Sequence, residues 1–216
     1  MHNLVMKDLK LGVSPLFFFM PLLGALMLVP GWLYFIVILY FCWITVPNMF
    51  GGFKAQNDLL FTAMMPVTKR DIVKARVTVV VILELLHMVV AMIFGMISLR
   101  LYPGFKYIFF APHLGFWGLC FVMLGIFNLI FIPMYYKTAY KFGGAMLASV
   151  TAAMLFAGIA QWLGIQNSYV YDLFNGAGAE NMGLQASILI AGIVIFTIFT
   201  MVANQIAVKR FLKVEI

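Results

Sequence analysis

The chain has 216 residues, 65% hydrophobic and 10% charged, with a formal net charge of +7 at pH 7. Soluble domains carry about 45 to 50% apolar and about 25% charged residues, so a water-soluble globular protein is excluded and an integral membrane protein is expected. The excess of basic residues is a matter of topology and of attraction to anionic inner-leaflet lipid, and it implies no nucleic-acid partner.

Crossing a hydrocarbon core about 30 Å thick takes roughly 20 apolar residues as helix, the form in which a segment satisfies its own backbone N–H and C=O groups. Six runs meet that requirement, at about Leu11 to Val29, Trp32 to Gly52, Val77 to Leu99, Tyr107 to Tyr135, Gly143 to Leu163 and Leu184 to Ile206. A transmembrane barrel would need segments of about ten residues alternating apolar and polar, and that pattern is absent. The fold class is therefore all-α, a single membrane domain spanning residues 1–216.

Residues 2–10 place Leu4, Val5 and Leu9 at helical spacing against Lys7, Asp8 and Lys10, the pattern of an interfacial helix lying on a leaflet. The first run ends in Leu28-Val29-Pro30-Gly31 without a small-residue cleavage site, so it reads as a retained span rather than a signal peptide. Pro30-Gly31 predicts a tight turn, with Trp32 and Tyr34 at headgroup depth. Cys42 and Cys120 fall inside spans and act as small buried hydrophobes, with no disulfide framework.

Orientation follows from the basic residues. With the N-terminus inside, twelve of the 14 Lys and Arg face the cytosol and only Arg100 and Lys106 lie outside, so both termini are expected to be cytosolic.

Between the second and third runs lies the one long polar island, residues 57–76, NDLLFTAMMPVTKRDIVKAR. Asn57 or Asp58 can cap a short helix whose Leu59, Leu60, Ala63 and Met64 form an apolar ridge, and Pro66 ends it. Thr68-Lys69-Arg70-Asp71 is a capping-box-like start for a second helix that carries Lys74 and Arg76 into the third span. A ridge of this kind either docks a partner or folds back on the leaflet.

Further along, Tyr135, Tyr136 and Tyr140 suggest an inner aromatic belt. Residues 164–183 contain Asn167, which can cap a short outer helix through Phe174 that Asn175-Gly176 ends.

Ionisable groups inside the spans are rare. Glu84 lies about 10 Å into the third span, where an unpaired charge costs about 2.5 to 3.5 kcal/mol. Glu84 and His87 match the Glu-x-x-His step of di-metal bundles, but that motif needs a second copy and further carboxylates, so a mutual hydrogen bond is expected and no metal. Glu84, His87 and Asn128 are the candidate pathway or interface polar residues. His113 reads as an interfacial histidine, and Asn48, Asn128, Gln161, Asn204 and Gln205 as interhelical hydrogen-bonding groups. Pro15, Pro21, Pro47, Pro112 and Pro133 are expected to kink their helices.

An Asn-Asp pair, a short apolar helix, a residue-Pro step, and then a basic residue followed by Ile-Val-x-Ala-Arg resemble the segment between spans two and three of ABC-2 type permeases. The resemblance covers essentially the whole chain and lies with small bacterial members encoded apart from their ATPase. It implies a coupling helix over Asn57 to Met65 that fits a groove on an ABC ATP-binding subunit, with Asn57 and Asp58 opening it. Leu59, Leu60, Phe61 and Met64 would be its knobs, Met65-Pro66 its end, and Arg70 and Asp71 rim contacts. It also implies a second permease half, identical or homologous, with ATP and Mg on the partner ATPase and no cofactor in this chain.

No Walker A pattern occurs, so ATP hydrolysis is expected in a separate subunit. No H-E-x-x-H or G-x-S-x-G occurs either, and no enzyme activity or catalytic residue is expected. The reading is an exporter of apolar or amphipathic cargo in the bacterial cell membrane. Two alternatives are a substrate-binding subunit of an energy-coupling importer, whose A-x-x-x-A pattern the first span lacks, and a non-transporting immunity or sensor protein.

Overall fold

Apolar runs separated by short polar joints fold into helices throughout the described residues, which in this computed structural model are 2–12, 15–138, 141–176 and 179–214. Tyr140, the Glu180 carboxylate and the side chains of Leu59 and Ala63 lie outside the described residues. The helices are α1 (His2–Lys7), α2 (Tyr34–Ala55), α3 (Asp58–Ala63), α4 (Lys69–Leu101), α5 (Leu114–Thr138), α6 (Gly143–Gln166), α7 (Ser168–Asn175) and α8 (Ala179–Phe211). Five of them, α2, α4, α5, α6 and α8, are long and apolar enough to cross a membrane, and a bent pair near the N-terminus can supply a sixth crossing. The protein is an all-α membrane protein.

That bent pair departs from the single α-helical span, kinked at Pro15 and Pro21, expected over Leu11 to Val29. α1 runs on through a π-helical turn at Asp8–Gly12, and the chain then turns by 98° into 3-10 segments at Pro15–Phe18 and Met20–Leu28. Pro15 opens the first 3-10 segment and Pro21 lies in the first turn of the second, positions where a missing N–H donor is tolerated. At about 2 Å rise per residue, residues 15–28 reach about 28 Å, close to a hydrocarbon core. An α-helix of the same length would cover only about 21 Å. Gly24 lets this segment approach α4, because a Cβ there would lie 3.0 Å from Ala91 Cα.

The other prolines act at the joints. Pro47 lies just beyond a π-helical turn at Phe41–Thr45 within α2, and the Asn48 amide donates to Ile44 O at 2.7 Å. Asn48 thus serves its own helix rather than a neighbour. Pro112 ends an irregular stretch rather than kinking a helix, so α5 begins at Leu114 and not at Tyr107. Backbone N–H groups in that stretch are taken up by side chains: Phe110 N–H by Gln161 Oε1 at 3.5 Å and Ala111 N–H by Asn175 Oδ1 at 2.6 Å. Non-helical backbone at membrane depth needs such partners.

α5 and α8 form the tightest pair. A Cβ on Gly118 would lie 2.5 Å from Ile188 O, and one on Gly125 would lie 3.1 Å from Phe196 Cα. Small residues let backbones meet where lipid offers no hydrophobic drive to associate. The aromatic belt expected at the interface turns inward instead. Tyr34, Tyr135 and Tyr136 are buried, Tyr34 donating to Val29 O at 3.1 Å and Tyr135 packing edge-on to Phe50 at 4.6 Å.

α7 forms as its sequence suggests. Asn167 Oδ1 accepts from Tyr169 and Val170 N–H, Leu173 and Phe174 are buried, and Gln185 of α8 donates to Leu173 O at 2.6 Å.

Candidate functional site

The island over residues 57–76 is built by two different helix starts. Asn57 takes a left-handed backbone with φ 49°, which Asn tolerates, and this reverses the chain after α2 without any side-chain cap. The second start is a reciprocal cap: Asp71 N–H donates to Thr68 Oγ1 at 3.2 Å, and the Thr68 hydroxyl donates to Asp71 Oδ2 at 2.7 Å. That bond from Thr68 holds the Asp71 carboxyl below the ordinary carboxylate range. Met65 and Pro66 form the joint between α3 and α4.

α3 has two faces. Outward it presents Leu60, Phe61 and Met64, which are 43%, 60% and 76% exposed, with Arg70 exposed nearby on α4. Inward, Asp58 and Thr62 are buried in a network that the sequence reading did not foresee.

Lys7 of α1 donates to Asp58 Oδ1 at 2.7 Å and to Thr62 Oγ1 at 2.6 Å, and lies 3.1 Å from Asp8 Oδ1. Arg76 of α4 donates through Nε to Asp8 Oδ2 at 2.9 Å and through Nη2 to Asp58 Oδ2. The guanidinium also sits over the Phe53 ring of α2, 3.5 Å from its centroid. Two cations and two carboxylates balance, and they join α1, α3 and α4. Burial alone would push the Asp58 carboxyl up, but Arg76 beside it, with Lys7, holds it below the usual carboxylate range.

α1 is therefore more than an amphipathic flank. Lys7 and Asp8 leave the polar face expected at the leaflet and enter the protein, while Leu4 is buried and Lys10 stays exposed. The signal that could have found this is the acid itself: Asp8 is one of seven acidic residues in the chain, set beside a second buried-facing Asp in the island.

The C-terminal segment closes the same end. Lys69 donates to Val214 O at 2.6 Å, and Arg210 donates to Pro133 O at 2.9 Å.

Inside the bundle, Glu84 and His87 do not bond to each other. The Asn128 amide of α5 donates to Glu84 Oε2 at 2.9 Å and lies 3.2 Å from Thr200 Oγ1 of α8. His87 Nε2 is 3.0 Å from Val37 O, at the irregular join where Phe41 N–H turns to Ile38 O. The i, i+3 spacing puts both side chains on the buried side of α4, but different helices meet them there.

A cavity of about 350 Å³ opens between α2 and α6, lined by Leu39, Trp43, Met154, Gly158 and Trp162 with Gln161 at one side. Its walls are almost wholly apolar. Among the described residues no group of three or more His, Cys, Asp or Glu could hold a metal ion.

α3 thus presents an exposed apolar face between two helices long and apolar enough to cross a membrane. A family model described as "ABC-2 family transporter protein" matches residues 3–211, and the chain belongs to that family. It is the membrane subunit of an ABC transporter rather than the ATPase. No curated protein and no solved structure matches the chain.

Proposed function

We propose that this chain is the permease subunit of an ATP-driven exporter, moving an apolar or amphipathic cargo such as a peptide, lantibiotic or lipid-like molecule out of a bacterial cell. α3 is then the coupling helix. It docks through Leu60, Phe61 and Met64 on a separate ATP-binding subunit that carries ATP and Mg, with Asn57, Leu59, Arg70 and Asp71 around the contact. Asp58 acts from inside, tying the docked helix to Arg76 and Lys7.

The observation that carries this reading is the opposition of α3's two faces. Three large apolar side chains point outward from a helix whose inner face is fixed by four balanced charges. A push on the outer face passes to α1 and α4 together as a rigid-body movement. Two such halves, identical or homologous, would enclose a pathway that alternates between inward and outward access. The basic end, with both termini, faces the cytosol of the cell membrane. The apolar cavity between α2 and α6 suits a greasy cargo.

The test is co-purification of the ATP-binding subunit with Leu60→Asp/Met64→Asp. The double variant is expected to lose the ATPase while keeping the wild-type unfolding temperature, since both residues are exposed. ATPase association equal to wild type would overturn the docking role.

A further inference from the structure

The polar residues inside the bundle form a second site of a different kind. Glu84 of α4 and Asn128 of α5 are 1% and 0% exposed, and each keeps one oxygen without a hydrogen-bond partner among the described residues, Glu84 Oε1 and Asn128 Oδ1. Asn204 Oδ1 of α8 is a third such buried oxygen. It lies one helical turn from Thr200, whose Oγ1 is 3.2 Å from Asn128 Nδ2.

All three unpartnered atoms are acceptors. The donor that reaches Glu84 is the Asn128 amide, and no Lys, Arg or His nitrogen among the described residues bonds to it. A carboxylate at membrane depth with one neutral donor is strongly unfavourable, and such groups pair with a charge or face a water-filled cavity. A cavity is at hand. A cleft of about 330 Å³ runs between α4 and α8, bounded by Lys74, Thr78, Thr200 and Asn204. With Lys74 at the basic end of α4 and Thr200 and Asn204 in its wall, it reaches the α8 side of this polar group.

Buried oxygens left without donors beside one negative charge match the coordination chemistry of a small hard cation. We propose that Glu84, Asn128, Thr200 and Asn204 form a binding site for a small monovalent cation, sodium or hydronium, reached through the cleft between α4 and α8. A bound cation cross-links α4, α5 and α8. Because α4 is also the helix that Arg76 ties to α3, loading this site biases the same element that the island moves.

The groups facing Glu84 are few. Among the described residues, His87 lies one turn along α4 with Nε2 engaged by Val37 O, and Cys42 of α2 is a buried free thiol. α5 and α8 bring Asn128, Thr200 and Asn204, none of which titrates, and Lys74 stands at the cleft mouth.

The experiment is thermal unfolding of the full chain in lipid nanodiscs, independent of ATPase docking. Sodium is titrated against N-methylglucamine at constant ionic strength and high pH, and a sodium-free series runs between about pH 5 and 8. A sodium site gives a saturable rise of about 3 to 6 °C at ten times the dissociation constant. A hydronium site gives its rise in the sodium-free series as pH falls. Either response should vanish in Glu84→Gln and shift by about tenfold or more in Asn204→Ala, which removes one oxygen without disturbing Glu84. Indifference of the wild type to both cations overturns the proposal, as does a response that Glu84→Gln and Asn204→Ala leave unchanged.

Discussion

Two of the buried polar groups on α4, Arg76 and Glu84, lie about 12 Å apart along its axis and are completed in opposite ways. Arg76 meets two carboxylates, one from the π-helical turn after α1 and one from α3, and those meet Lys7, so the charges cancel within the chain. Glu84 meets one amide and leaves acceptors over on three helices. Balanced charge from separate elements makes a fastener. Acceptors left over beside a buried carboxylate are what the proposed cation would complete, and the two arrangements suit different tasks on one helix.

The largest effect should come from breaking the fastener. Arg76→Ala leaves Asp8 and Asp58 buried with only Lys7 between them, which should cost about 3 to 5 kcal/mol in unfolding free energy, measured in nanodiscs. Arg76→Lys keeps the charge but cannot reach two carboxylates from Nε and Nη2 at once, so it should fall between wild type and alanine. An alanine variant as stable as wild type would show that the network holds nothing.

The polar node should respond less. Asn128→Leu removes the donor to Glu84 and should cost about 1 to 3 kcal/mol.

Acid gives a third discrimination. The Asp58 carboxyl is held below its ordinary value, so its stabilising contribution is present above about pH 3.9 and is lost as pH falls through the lower folded value. The stability difference between wild type and Asp58→Asn should therefore be constant near neutrality and shrink below about pH 4. A difference that persists unchanged at lower pH would remove the charge from the explanation. The smallest effect belongs to an exposed contact outside both groups: Thr68→Ala should cost about 1 kcal/mol through loss of the cap.

Much of the island was legible because its signals are local. Thr68 and Asp71 are three residues apart and cap α4 by themselves, and Asn167 caps α7 by the same short-range logic. The exposure of Leu60, Phe61 and Met64 follows from apolar residues placed opposite Asp58 and Thr62 on one short helix. The first span was not legible, because Pro15 and Pro21 permit either a kinked α-helix or a stretched 3-10 segment. Packing of Gly24 on Ala91 accompanies the second. Tyr34, Tyr135 and Tyr136 looked like headgroup anchors, since their composition is the same in a belt and in a core. Only the neighbouring rings of Phe116, Phe50 and Phe211 separate the two.

The sequence by itself determined the membrane class, the helical architecture and the outward ridge of the island, since backbone satisfaction in lipid and helix capping act within a few residues. The tertiary structure decided which charges meet. Lys7 reaches Asp58 across 51 residues and Arg76 reaches Asp8 across 68, while Glu84 finds Asn128 rather than His87 three residues away. Periodicity says which face of a helix a side chain shares, and only helix packing says what stands opposite it.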